Sequence, residues 1–377
     1  MLQRIQELLE SGVDRRQIIF INFEDDRITP IVESQLDLIL TAHGELYPEL
    51  QQKKRYYFFD EVQNAHGWER FCRRIYDTEN AEIVVTGSSS HFLAKEVATA
   101  LRGRSLPIEV FPLSFAEFLQ FRQVELEEYS PLSEQRAVSE LEEYLRIGGL
   151  PEVVLATATV RPLIIKEYTD LLLYKDLVDR YRLTNPVLMK ELLRTCLAAP
   201  ASLINVVKVF HDLQSRGLKI SKDTVYRYLD ILQESYLLFL SPVAEKSIRK
   251  RAINPKKMHL VDWSLGYSYM PEVLIDRGHK LENAVFLHER RKTAELGYRL
   301  RPHEIDIVST LDHPQCLINV CWSLSDKNTR ERELRALEEN TLPHATKILV
   351  AHEEVNQEFA AGKNIKIISA WRYLLQK

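Results

Sequence analysis

The amino-acid sequence predicts an α/β protein: a parallel-sheet layer in the first third, a helical and helix-turn-helix middle, and a second α/β layer at the end. Three observations predict it. Short apolar runs rich in β-branched and aromatic residues alternate with helical segments near the N-terminus. From about Leu126 to Ala199 apolar residues recur at helical spacing, interrupted at Ile147-Gly148-Gly149-Leu150-Pro151. Beyond Leu281, helical and extended patterns alternate again.

Composition bounds the rest. The chain has 377 residues, 45% hydrophobic and 28% charged, which suits two or three globular domains and excludes a disordered chain. A net charge of -4 gives no global electrostatic case for nucleic acid, so any such case is local. No run of about 18 apolar residues occurs, so no spanning helix and no membrane partner are expected. Arg4, Glu7 and Glu10 within Met1–Ser11 argue against a secretory signal. The 4 cysteines, at 72, 196, 316 and 321, form no Cys-x-x-Cys pair, which argues against a disulfide scaffold or a cysteine zinc site and for a reducing cytoplasm. With only 12 glycines the search for phosphate loops is complete: neither Gly-x-x-x-x-Gly-Lys-Ser/Thr nor Gly-x-Gly-x-x-Gly is present.

Taken in order, Leu2, Ile5, Leu8 and Leu9 predict a helix stopped by Gly12. Ile18–Phe23, Tyr56–Phe59 and Ile83–Val85 read as strands buried on both faces, with a helix over Trp68–Tyr76 between the last two. Ser202–Gln214 and Ser221–Glu234 read as two helices joined by a turn containing Gly217, the second capped by Ser221, and Leu237–Leu240 as a strand after them. In the last third a helix over Leu281–Lys292 precedes strands at Gly297–Arg301, Glu304–Leu311 and Gln315–Leu324. A charged helix over Thr329–Asn340 and strands at Thr346–His352 and Ile365–Ser369 follow. The expected divisions are 1–124, a helical region 125–199, a winged-helix-like segment 200–262 and a final α/β domain 263–377.

The sharpest chemical motif is Tyr56-Tyr57-Phe58-Phe59-Asp60-Glu61, a buried strand from whose end two adjacent carboxylates emerge. Ligands gather at the carboxyl ends of parallel strands. In a nucleoside triphosphatase the first acid holds magnesium through a water and the second directs the attacking water. The bland alternative is a core strand that ends in solvated acids. The strand ending in Thr86-Gly87-Ser88-Ser89 would set a hydroxyl beside those acids, where Ser88 would sense a γ-phosphate. Arg102 and Arg104, in Leu101-Arg102-Gly103-Arg104, would meet a neighbouring subunit's nucleotide and so favour self-association; alternatively they line a solvated turn.

Together with Phe111-Pro112-Leu113-Ser114-Phe115-Ala116-Glu117-Phe118-Leu119, Gly148-Gly149-Leu150-Pro151, Leu173-Tyr174-Lys175-Asp176 and Val320-Cys321-Trp322-Ser323-Leu324, these segments resemble the bacterial and archaeal AAA-type ATPases that carry a C-terminal domain of unknown function. The resemblance covers nearly the whole chain. It implies an incomplete P-loop-type sheet domain, with Asp60 and Glu61 as the Walker B pair, Asp60 as the magnesium residue, Ser88 as the sensor, Arg102 or Arg104 as an arginine finger, and ATP and Mg as cofactors. The departure is that the family's first strand and Walker A loop are missing, so the chain is read as truncated at that loop or as having lost it. The missing strand would lie between the strands ending at Ser88 and at Ser114. Weak or no ATP binding is therefore expected.

Two further constellations stand out. Glu282 on a helix, Asp306 on the strand Glu304–Val308, and Asn319 and Cys321 on the next strand match the layout of a restriction-nuclease-like fold. That chemistry asks for Glu-x-Lys where Asn319 and Cys321 stand, and the lysine is absent, so a degenerate nuclease-like site is expected. Between Pro200 and Leu260 there are eleven Lys or Arg against five acids. Lys222, Thr224 and Arg227 begin the second helix and Arg249, Lys250 and Arg251 would form a basic wing, a DNA-binding arrangement whose alternative is a helical packing module. The expected function is thus an AAA-type ATP-binding protein that does not hydrolyse ATP by itself and is associated with DNA. The alternatives are a non-enzymatic DNA-binding or scaffold protein and, third, a metal-dependent nuclease.

Overall fold

Three strands, β1 (Ile18–Asn22), β2 (Arg55–Asp60) and β3 (Ala81–Val85), lie side by side in that order and run parallel, in register Asn22↔Asp60 and Phe59↔Val85. They come from a computed structural model that describes residues 1–88, 101, 103–127, 130–245, 247–309, 316–340, 342, 344–353 and 364–376. The chain divides into two compact units, Met1–Glu109 and Val110–Lys377.

In the first unit the aromatic run of β2 forms the centre. Tyr57, Phe58 and Phe59 are buried, as a middle strand covered on both faces requires. Helix Trp68–Thr78 returns the chain to the start of β3 and buries Trp68, Phe71, Cys72 and Ile75, which lie along one stripe at helical spacing. Each such side chain contributes about 2–3 kcal/mol through burial. β3 is only half-buried along its whole length, as befits a sheet edge. Residues 104–114 form no strand, and Leu106, Ile108 and Val110 are exposed. The strand expected to end at Ser114 is therefore not formed, and the Leu113 amide bonds to the Gly149 carbonyl rather than to a neighbouring strand.

The second unit holds two sheets. β4 (Ser202–Ile204), β5 (Leu238–Ser241) and β6 (Lys256–Leu260) form an antiparallel sheet in the order β4-β6-β5. β7 (Leu296–Arg299), β8 (Ile305–Ser309), β9 (Cys316–Cys321), β10 (Thr346–Ala351) and β11 (Ile365–Ser369) form a mixed sheet in the order β11-β10-β9-β8-β7. β9, β10 and β11 are parallel, while β7 and β8 are antiparallel to their neighbours. Alternation sorts its residues: Ile318, Ile348, Val350 and Ile368 pack with Leu281 and Val285 of helix Arg277–Arg290. Leu317, Leu349 and Ile367 pack with Leu334 and Leu337 of helix Lys327–Glu339.

The helix-turn-helix forms with one shift. Its first helix begins at Val206, because Asn205 caps it by accepting from the Val207 and Lys208 amides, and Ser202–Ile204 become β4. Ser221 caps Lys222–Glu234 as expected, accepting from the Thr224 amide at 3.1 Å. Leu173-Tyr174-Lys175-Asp176 lies in a π-helical stretch, Leu172–Asp179.

The compact unit that begins at Val110 takes in the Phe111–Leu119 motif. Ser114 and Glu117 form a capping box that starts helix Phe115–Phe121. Leu113, Phe115, Phe118 and Leu119 are buried with Leu141, Tyr144 and Leu145, so this motif packs in the second unit. Backbone capture reinforces it: Tyr144 donates to the Leu113 carbonyl at 2.9 Å and Arg291 to the Pro112 carbonyl at 2.6 Å.

Candidate functional site

The carboxyl edge of the first sheet gathers Asp60, Glu61 and Ser88. Asp60 ends β2, and Glu61 turns the chain through a left-handed conformation at φ 53°. Thr86, one residue beyond β3 and so level with Asp60, donates its hydroxyl to Asp60 Oδ1 and accepts the Glu61 amide at 3.2 Å. Gln63 donates its amide to Glu61 Oε2 and to Ser88 Oγ, the latter at 3.3 Å. Ser88 Oγ in turn donates to Glu61 Oε2 at 3.4 Å. Asn22, at the end of β1, is the register partner of Asp60.

Both carboxylates are half-buried, and Ser88 is exposed. Among the described residues the network contains carboxylates, hydroxyls and an amide. It suits a hydrated divalent ion and an oriented water. Thr86 and Gln63 were missed as site residues. Strand register, counted from the ends of the apolar runs, is the signal that finds Thr86; Gln63 has no comparable signal.

Arg104 is elsewhere. It pairs with Asp77 at 3.3 Å, in the last turn of helix Trp68–Thr78 and hence at the opposite, amino edge of the sheet. Arg102 and the side chain of Lys250 lie outside the described residues.

In the second unit, Glu282 and Asp306 do converge, but on a lysine. Lys257 Nζ lies 2.6 Å from Glu282, 2.8 Å from Asp306 and 3.3 Å from Glu304. This lysine lies on β6, not on the third strand of the pattern, and the charge count included it as surface charge although it is 2% exposed. Burial pushes Lys257 down, but Asp306 and Glu282 beside it more than reverse this and hold it above the usual lysine value. Burial outweighs the same partnership for Asp306 and Glu282, raising both carboxyls. Asn319 is engaged too, accepting from the Asp306 amide at 3.3 Å and donating to Glu333 at 2.7 Å. Burial, with Glu333 and Glu353 nearby, lifts the Cys321 thiol to about 12, so it stays protonated. Among the described residues no group of three or more His, Cys, Asp or Glu is arranged to hold a metal ion.

The helix Lys222–Glu234 exposes Lys222, Asp223, Tyr226, Arg227 and Asp230. Thr224 Oγ1 is 2.9 Å from Ser221 Oγ, so its hydroxyl serves the cap. Lys222 sits over the Phe210 ring at 5.6 Å. Arg249 and Arg251 are exposed on the short helix Ile248–Ile253, and Arg251 donates to the Glu245 carbonyl at 2.5 Å. With Lys257 buried and Arg216 paired to Asp212 and Glu191, the positive surface is smaller than the residue count implied.

Among the described residues no helix is long and apolar enough to cross a membrane. A family model described as an AAA domain matches residues 1–119, and one described as a domain of unknown function, DUF8612, matches residues 138–272. The chain is 33% identical over 329 residues to the uncharacterized protein MJ1544 of Methanocaldococcus jannaschii, covering 85% of this chain and 71% of that one. It is 26% identical over 379 residues to an uncharacterized protein of Haemophilus influenzae, covering 100% and 90%. Among solved structures, a Walker-type ATPase of Pyrococcus abyssi overlays with a TM-score of 0.41 at 14% identity, covering 70% of this chain and 87% of that one. By the extent of these matches and the two domain models, the chain belongs to the family of AAA-type ATPases that carry a C-terminal domain of unknown function.

Proposed function

We propose that Asp60, Glu61, Thr86 and Ser88 form the metal- and water-handling part of an AAA-type ATP site, in a sequence that contains no Gly-x-x-x-x-Gly-Lys-Ser/Thr loop. The observation that carries this reading is the hydroxyl bridge from Thr86 to both Asp60 and the Glu61 amide at the ligand-bearing edge of a parallel sheet. The left-handed Glu61 supports it, since a non-glycine residue there costs on the order of 1 kcal/mol and such strain concentrates at functional edges. Without Gly-Lys-Ser/Thr amides and lysine, the chain alone binds Mg-ATP weakly or not at all and does not turn it over.

Hydrogen–deuterium exchange with millimolar Mg-ATP tests both parts. Exchange should slow at Asp60–Gln63 and Thr86–Ser88 and lose that response in Asp60→Asn. No protection there overturns the acid-pair assignment, and micromolar affinity for the unaided chain overturns the missing cradle.

A second reading is a DNA contact through the module built from β4, β5, β6 and the helices Val206–Ser215 and Lys222–Glu234. The sheet order β4-β6-β5 around a helix-turn-helix supports a winged-helix arrangement, in which Lys222 and Arg227 lie on the exposed face of the second helix and Arg249 and Arg251 on the wing. In this reading the outline of the ATP site serves as a scaffold. A filter-binding titration over salt concentration tests it: binding that weakens steeply with salt supports the contact, and salt-independent or absent binding removes it.

A further inference from the structure

Lys257 and His259 are two residues apart on β6 and therefore share one face of its sheet. Glu282 and Phe286 are four apart on helix Arg277–Arg290 and share one stripe. The two pairs meet: His259 stacks on Phe286 with ring centres 3.7 Å apart and planes within 4°, and Lys257 reaches Glu282 at 2.6 Å. Asp306 and Glu304, on and beside β8, close the group from the five-stranded sheet.

A restriction-nuclease-like layout implies a hard divalent cation on the carboxylates of such a site. The side chains here do not fit one. Magnesium and manganese want several free oxygen ligands. Asp306 Oδ1 faces Lys257, and Asp306 Oδ2 accepts from the Val320 amide at 2.9 Å. Glu282 faces Lys257, the oxygen and amide of Asn319 are both bonded within the protein, and Cys321 carries its proton. The cluster also resists a second positive charge. His259 is fully buried with neither ring nitrogen bonded, and burial first, then the charge of Lys257, hold it neutral although Glu282 is 3.8 Å away.

We infer that the Lys257 ammonium is the resident cation of this cluster, standing in for the divalent ion that the nuclease-like layout implies and fastening the β4-β6-β5 sheet to the five-stranded sheet. The Glu282–Asp306 cluster then needs no metal. A lone ammonium removed from water is unfavourable, so the three carboxylates around it form a set with it: deleting the lysine leaves uncompensated charge that a metal can take up.

Manganese titration of the full chain, read by the electron paramagnetic resonance of free Mn2+, tests this, and it is independent of the ATP-site reading. In the parent protein, Asp306→Asn should leave Mn2+ uptake unchanged. Lys257→Met should gain one Mn2+ site, which added Asp306→Asn removes, and Mn2+ should raise its thermal midpoint but not that of the parent. Parent uptake that drops by one site in Asp306→Asn overturns the inference. So does a folded Lys257→Met variant with no added site. If Lys257→Met does not fold, the parent and Asp306→Asn titrations decide alone. Asp60→Asn separates the two readings, since Mn2+ lost in that variant belongs to the first unit.

Discussion

Asp262 Oδ2 accepts a hydrogen bond from the Gly149 amide at 2.6 Å, joining residues 113 apart in sequence, while Oδ1 accepts from the Ser264 amide at 2.8 Å. The carboxyl is buried, and burial raises its pKa despite these bonds. This pairing explains Gly148-Gly149-Leu150-Pro151. Gly148 has φ +81°, and a Cβ there would stand 2.3 Å from Asp262 Oδ1; a Cβ on Gly149 would stand 2.5 Å from the Leu113 carbonyl. The motif is a packing joint between Leu113, the end of helix Pro131–Ile147 and the segment after β6. Gly148→Ala should therefore destabilise the second unit by about 2–4 kcal/mol, through positive-φ strain plus the steric clash, measured as a shift of the urea midpoint at constant slope. A loss below about 0.5 kcal/mol would refute the joint.

Thr86→Val removes the hydroxyl that Asp60 and the Glu61 amide share while keeping the side chain's shape. The Glu61 amide then lacks its acceptor in a half-buried position, for an expected cost of about 1–2 kcal/mol. Ser88→Ala, at an exposed position, should cost less than about 0.5 kcal/mol. Denaturant unfolding of both variants checks the ranking; equal effects would show that Thr86 does not organise the edge.

Acid should destabilise the second unit through His288. Its ring lies near Tyr373, with Nε2 3.9 Å from Glu289, and is 7% exposed. Burial, followed by Lys292 and Arg291, pushes it down to about 3. A histidine held neutral in the folded chain but free to protonate when unfolded leaves stability intact above pH ~6.5, and removes it as pH falls from there toward the folded value. At pH 5 that amounts to about 2 kcal/mol for this one group. His288→Phe should lose less stability than the parent between pH 7 and pH 5 by about that amount; parallel pH profiles would remove His288 as the cause.

If the helix Lys222–Glu234 meets DNA, Arg227→Ala should weaken binding and lower the salt slope by about 1, since each phosphate contact contributes about one released counterion. Asp230→Asn, on the same exposed face, should strengthen binding by relieving repulsion. An unchanged slope in Arg227→Ala would place the contact elsewhere.

Much of the fold is legible in local pattern. Tyr56–Phe59 and Ile83–Val85 are legible as strands, although only the first is covered while β3 stays half-buried at the edge, and parallel direction then puts Asp60, Glu61 and Ser88 at one edge. Ser221 marks its helix start because its side chain can accept an amide near it in sequence. Ser114 and Glu117 carried an equally local signal. The charge count over Pro200–Leu260 failed for the opposite reason: it treated Lys257 as solvated, and residue type alone does not report whether a lysine reaches water.

The sequence by itself determined the strand and helix order, the acid edge and the lack of a phosphate loop, because these depend on periodicity and on neighbours a few residues apart. Tertiary structure decided that Lys257 meets Asp306 across 49 residues and that Gly149 meets Asp262 across 113. Those partners are chosen by which sheet faces which helix once the chain has closed, and a buried charge settles on the opposite charge that the closed fold brings within reach.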